Sequence, residues 1–206
     1  MLQWSMRVLL YDRTCQGRVG GLSRIWAAGS TLYRRLGRID AVHGAATWED
    51  GLGWLAARPE PIEEVQYWGH GTWGAALIDG APLDARALAV HAPLRPQLDA
   101  VRERLAPRAL VWFRTCETFG ALPGIDFAER LADFLGARVA GHTFVIHYHQ
   151  SGLHGLAPGQ RADWSPAEGL AEGTVAQPTR AKSSAPWAPR TVTCWSGRVP
   201  AAWFAP

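Results

Sequence analysis

Residues 109–116 read Ala-Leu-Val-Trp-Phe-Arg-Thr-Cys. The first five side chains are all apolar, with neither the 3.6-residue period of an amphipathic helix nor the strict alternation of a half-buried strand. A short run of that kind, bounded by polar residues, is a strand covered on both faces, which is the situation of a parallel sheet between layers of helices. Working outward, residues 7–12 (Arg-Val-Leu-Leu-Tyr-Asp) form a first strand of the same type. Residues 39–45 form a second, residues 62–68 a third that runs into Gly69-His70-Gly71, and residues 138–146 a fifth. Helical periods fill the gaps. Residues 24–36 place Ile25, Leu32 and Leu36 on one face after a glycine-rich turn at 17–21, with Ser23 as the cap and Gly37 as the stop. Thr47, with Glu49 and Asp50 in the first turn, opens a second helix that Pro59 and Pro61 end. Residues 98–105 suggest a third, and 126–135 a fourth that carries Phe127, Leu131, Phe134 and Leu135 on one side and stops at Gly136. Residues 75–83 read as a small hairpin turning at Asp79-Gly80.

Strands alternating with helices at these lengths imply right-handed crossovers and an α/β fold, with a mostly parallel central sheet and helices on both faces. A single domain over residues 1–206 is expected, its core at about 6–146. Residues 147–206 are loop-rich: between 150 and 190 the composition turns to Gly, Pro, Ala and Ser, expected as partly mobile loops over one end of the sheet, and residues 191–195 offer a last strand.

Composition limits the function classes. Of 206 residues, 48% are hydrophobic and 19% charged, and 21 basic against 18 acidic residues leave a net charge of +3. The basic residues are scattered and nearly all Arg, so no nucleic-acid footprint is expected. No stretch reaches the roughly 18 apolar residues of a membrane span, and residues 1–12 lack the marks of a signal peptide, so a cytoplasmic protein with no membrane partner is expected. The three cysteines, Cys15, Cys116 and Cys194, have no disulfide-framework or zinc-ribbon spacing.

In open α/β sheets the reactive groups gather at the carboxyl ends of the strands. His70 and Cys116 both sit just past an expected strand, 46 residues apart. A thiolate is a nucleophile, and a nearby imidazole can take the thiol proton and later protonate a leaving amine, so the two are the candidate catalytic pair. Backbone amides at Gly71 and Cys116 are candidate oxyanion donors, and Trp68, Trp73, Arg114 and Glu117 candidate walls of the substrate cleft. Glu117 beside the thiol opposes its ionisation, and Arg114 is the group expected to offset it.

An apolar strand ending in His-Gly, a short hairpin, and a later apolar strand ending in Cys resemble the caspase-like (clan CD) cysteine peptidases, in which the histidine precedes the cysteine by about 50 residues. The Phe-Ala-Glu-Arg-Leu helix at 127–131 and the Gly-Ala-Arg-Val-Ala strand at 136–140 are most similar to bacterial caspase-like, CHAT-type domains. The resemblance covers residues 7–146 and implies a caspase-hemoglobinase-like three-layer sandwich with a His70–Cys116 dyad and no cofactor. The activity it implies is that of a cysteine-dependent endopeptidase, or a self-processing protease, acting on protein or peptide. Such families also contain catalytically silent interaction modules, which is the alternative. Arg114-Thr115-Cys116-Glu117-Thr118 departs from the caspase Gln-Ala-Cys-Xaa-Gly, so no preference for Asp is implied.

Rivals are few. Val42-His43-Gly44 repeats the strand-end histidine and makes His43 a second candidate base, though farther from Cys116. His142, His147, His149 and His154 are the only compact metal-like grouping, with no carboxylate or cysteine at a familiar spacing, so no metal is expected. A serine-hydrolase elbow and a phosphate-binding glycine loop are both missing.

Overall fold

The computed structural model describes residues 5–17 and 21–204. A six-stranded sheet forms its centre, built from β1 (Met6–Asp12), β2 (Ala41–Ala45), β3 (Ile62–Trp68), and three later strands. Helix α1 (Gly21–Arg35) joins β1 to β2, and α2 (Trp48–Ala56) joins β2 to β3. A three-stranded antiparallel ribbon follows β3: β4 (His70–Thr72), β5 (Ala75–Ile78) and β6 (Ala81–Asp84). Then come α3 (Arg95–Arg102), β7 (Leu105–Arg114), α4 (Ala121–Leu135) and β8 (Arg138–His142). The C-terminal part adds β9 (His149–Gln150), β10 (Leu153–Leu156), the hairpin β11 (Leu170–Gly173) with β12 (Pro178–Ala181), and β13 (Val192–Thr193) paired to β9. The order across the central sheet is β10-β8-β7-β3-β1-β2, all neighbours parallel except β10 against β8.

One face of the sheet is buried by α2, α3 and α4 through Leu52, Leu55, Leu98, Val101, Phe127 and Leu131. The other is covered in two parts. Tyr33 of α1 packs with Leu9, Ile39 and Trp68, while Val192, Val199, Trp203 and Phe204 close over Leu110, Trp112, Ala140 and Leu153. Alternate residues of β1 feed opposite layers, Val8 and Leu10 to one and Leu9 to the other, which is why its sequence shows no alternation. Among the described residues no helix is long and apolar enough to cross a membrane.

Several local expectations hold. Thr47 caps α2 by accepting the Asp50 N–H, Gly136 ends α4 at φ 61°, and Asp79 and Gly80 turn the β5–β6 hairpin at φ 50° and 74°. Others are corrected. Ser23 lies inside the first turn of α1 and does not cap it; its hydroxyl donates to the Asp12 carbonyl and ties the helix to the end of β1. The glycine-rich turn at 17–21 falls mostly on residues 18–20, outside the described residues. The third helix stops at Arg102, and Leu105 already pairs with Ile62 in β7. The fourth helix starts at Ala121 because Pro123 is tolerated in a first turn, where its missing N–H has no partner to lose. The strand expected to run to residue 146 leaves the sheet after His142, where the Thr143 N–H bonds to the Gly152 carbonyl instead.

The largest correction is in the C-terminal part. It contains a sixth sheet strand, with Leu153 opposite His142 and Leu156 opposite Val139. Residues 150–159 therefore start at the carboxyl edge of the sheet and run to its amino edge, so only their first half borders the site.

Candidate functional site at the carboxyl edge of the sheet

The position of β3 in the sheet determines what surrounds His70. Its two neighbours are β7 and β1, paired as Trp68 with Arg114 and Trp68 with Tyr11. His70 and Cys116 each lie two residues beyond that first pair, so they leave the sheet from adjacent parallel strands. Cys15 lies three residues beyond the end of β1, on the other side of His70. The histidine thus stands between two cysteine-bearing turns.

The turn carrying Cys116 is closely fastened. The hydroxyls of Thr115 and Thr118 are hydrogen-bonded at 2.5 Å, and the Thr118 hydroxyl donates to the Cys116 carbonyl at 3.1 Å. The Glu117 and Phe119 N–H groups donate to the carbonyls of Phe144 and His142, anchoring the turn to the chain leaving β8. Gly71 backs onto this turn so closely that a Cβ there would lie 2.4 Å from Thr118 Oγ1 and 2.6 Å from the Cys116 carbonyl oxygen. The neighbouring space at Gly69 is filled by the Tyr67 hydroxyl, which donates to the Leu77 carbonyl at 2.5 Å. Both glycines are required by close protein neighbours, and the His-Gly pattern encodes the approach of the two turns.

The two candidate catalytic side chains do not bond to each other. His70 is exposed, sits edge-on to Trp26 with ring centroids 5.5 Å apart, and directs Nε2 at Cys15 Sγ at 3.3 Å. The Cys116 thiol instead lies 4.0 Å from the Ile146 carbonyl. Burial pushes its pKa up, and the neighbouring Glu117 charge adds to that. Glu117 takes a left-handed backbone at φ 39°, and one of its carboxylate oxygens is buried with no hydrogen-bond partner among the described residues. Burial raises this carboxyl to about 7.

The other candidates fall apart from these two. Trp68 is a core residue, crossing Tyr33 at 5.0 Å and donating from Nε1 to Gln66, so it does not wall a cleft. Arg114 is also buried and does not face Glu117. Its guanidinium donates to Gln150 at 2.8 Å, to the Tyr33 hydroxyl at 3.0 Å and to the carbonyls of Cys194 and Ser196, and lies 4.4 Å over the Trp112 ring. It cannot offset the Glu117 charge at Cys116; it fastens β7 to the C-terminal segment. Trp73 does border the site, its ring packed against Gly120 just beyond the Cys116 turn.

His43 lies on the edge strand β2, bonded to Asp50 at 2.9 Å and stacked on Trp54, with β1 and β3 between it and the Cys116 strand β7. His147 and His149 do not share one strand: the chain turns at Tyr148, and the His147 N–H bonds to the His149 carbonyl. His142 is fully buried, and that burial drives its pKa down to about 3. His154 is committed to Glu168 at 2.7 Å and to Arg190 at 2.8 Å.

The sequence reading gave Cys15 no place in the site and missed its contact with His70. The signal was present, since Cys15 follows strand one as Cys116 follows strand four. Two surface hollows lie at the opposite edge, lined by Pro61, Leu105 and Pro107 and by Glu64, Arg108 and Arg138, and contain none of these groups. No protein-family model matches the chain, and a search of curated proteins finds no significant match to it.

Proposed function

We propose that this protein is a cysteine-dependent hydrolase of peptide bonds, an endopeptidase or a self-processing protease, with Cys116 as nucleophile and His70 as base. The observation that carries the reading is the pairing of β3 with β7, from which His70 and Cys116 emerge side by side with Gly71 against the Cys116 turn. The resemblance to caspase-like, CHAT-type domains points the same way through the His-Gly strand end and the hairpin after it.

In this mechanism the imidazole turns toward Cys116 when substrate is bound and takes the thiol proton. The sulfur attacks the carbonyl carbon of the scissile bond, and the oxyanion is held by backbone N–H groups at Gly71 and Cys116. His70 then delivers its proton to the amine as the C–N bond breaks, and water releases the acyl group from the sulfur by the reverse sequence. The imidazole is indispensable here because burial holds the Cys116 thiol in its protonated form.

The same burial, with the 4.0 Å contact to Ile146 in place of one to His70, is the observation favouring the second reading, a silent interaction module. A peptide-based thiol probe separates them. Peptidase chemistry requires Cys116 to be labelled, and Cys116→Ala and His70→Ala each to lose on the order of a thousandfold in turnover with little change in stability. Absence of labelling at Cys116 in the folded chain establishes the silent module.

A further inference from the structure

We infer that Cys15 is a second working thiol of this edge, paired with His70 as a modification site for soft electrophiles. The inference stands on four observations. Cys15 Sγ is the atom that His70 Nε2 faces, at 3.3 Å, and the histidine makes no other hydrogen bond among the described residues. Cys15 is a free, half-buried cysteine, so an electrophile can reach it. The strand order places it on the β1 side of the imidazole while Cys116 occupies the β7 side, so its position follows from the sheet itself. The chain is also built to hold it there. The Cys15 carbonyl accepts the Ser23 N–H from the first turn of α1, and a Cβ on Gly21 would sit 2.1 Å from that carbonyl oxygen. Gly21, at φ 48°, is thus what lets α1 start against Cys15.

The chemistry is that of a thiol beside a base. The Sγ proton passes to Nε2, sulfur bonds to the electrophilic carbon as the carbon–halide bond breaks, halide leaves, and the imidazolium returns its proton to water. While Cys15 holds the ring, the imidazole is not bonded to Cys116. The bearing of Cys15 on turnover rests on the proposed role of Cys116; its own reactivity does not.

The test uses the whole folded chain and iodoacetamide near neutral pH, with the alkylation of each cysteine followed by peptide mass spectrometry. Cys194, also free and half-buried, is the internal reference. In the wild type Cys15 is expected to react about tenfold faster than Cys194, and His70→Ala should bring it to within about twofold of that reference. Unchanged Cys194 labelling and far-UV circular dichroism certify the fold. If His70→Ala fails that check, His70→Gln, which keeps a polar side chain but cannot take a proton, is read in its place and should slow Cys15 equally. A Cys15 rate no faster than that of Cys194 overturns the inference, as does one indifferent to the His70 substitution. Failure of the peptidase reading shows separately, as turnover indifferent to Cys116→Ala while Cys15 keeps its dependence on His70.

Discussion

The turns on either side of His70 are built by different means. The Cys116 turn is held by paired threonine hydroxyls, by two backbone bonds to the chain leaving β8, and by the absence of a side chain at Gly71. Its thiol is half-buried, and that burial raises its pKa. The Cys15 turn is attached through Asp12 Oδ1, which accepts from the N–H and hydroxyl of Thr14, and through the Cys15 carbonyl, which accepts the Ser23 N–H at the start of α1. Its sulfur is the one in contact with the imidazole. The two thiols are therefore set up differently: Cys116 is fixed without the base, and Cys15 has the base. A nucleophile that must meet a substrate in one geometry gains from the first arrangement, and a thiol that need only be modified is served by the second.

Removing the bracing of the Cys116 strand should disturb that turn most. Arg114→Met removes a buried guanidinium, leaves Gln150 Oε1 without its donor and leaves the carbonyls of Cys194 and Ser196 to share the Tyr33 hydroxyl, so a loss of about 3 kcal/mol in urea unfolding is expected. A loss below about 1 kcal/mol would mean that the C-terminal segment braces β7 without this cation. Gly71→Ala acts on the turn alone. Its Cβ would meet backbone at Cys116 and the side chains of Thr115 and Thr118, where little can give, so about 2 kcal/mol should be lost. Cys116 labelling by a peptide-based probe should fall about tenfold, since a small displacement of a nucleophile is costly. Iodoacetamide labelling of Cys15 should stay within about twofold if the two turns are as separable as their bonding suggests.

How much of this the sequence revealed follows from the same contrast. Strands β1, β3 and β7 were legible because burial on both faces leaves a continuous apolar run, and the placing of His70 and Cys116 just past strands β3 and β7 followed from the same runs. Strand β10 was not legible. Its Leu-His-Gly-Leu includes a histidine whose burial depends on Glu168 and Arg190, far along the chain, and a glycine required by the Phe204 ring. Arg114 misled in a similar way: as a charge beside a candidate nucleophile it reads as part of the site, and only the return of residues 193–196 over β7 shows that it is enclosed. Cys15 was obscured by the loop around it, which shows neither period nor motif, although the strand-end rule that found Cys116 applies to it equally.

The smallest expected effect concerns Glu117, and it tests whether the Cys116 thiol is governed by its own neighbour or by burial alone. Burial raises this carboxyl from an ordinary 4.5 to about 7, so between those values the folded chain keeps a proton that the unfolded chain has lost. Stability therefore falls as pH rises through that window, by about 1 kcal/mol once the screening of a partly exposed group is allowed for. Glu117→Gln cannot ionise and should lose that slope, while acid destabilisation from His142, whose folded pKa of about 3 lies below its ordinary 6.5, persists in both proteins as pH falls. The same substitution removes the charge that adds to the upward shift of the Cys116 thiol, an effect present only above about pH 7, where the wild-type carboxylate forms. Labelling of Cys116 should thus be equal in the two proteins below that pH and about threefold faster in the variant above it. Cys15, on the far side of His70, should show no such divergence. Superimposable pH profiles for Cys116 would leave burial and the Ile146 carbonyl as the controls of its thiol and remove Glu117 from the site.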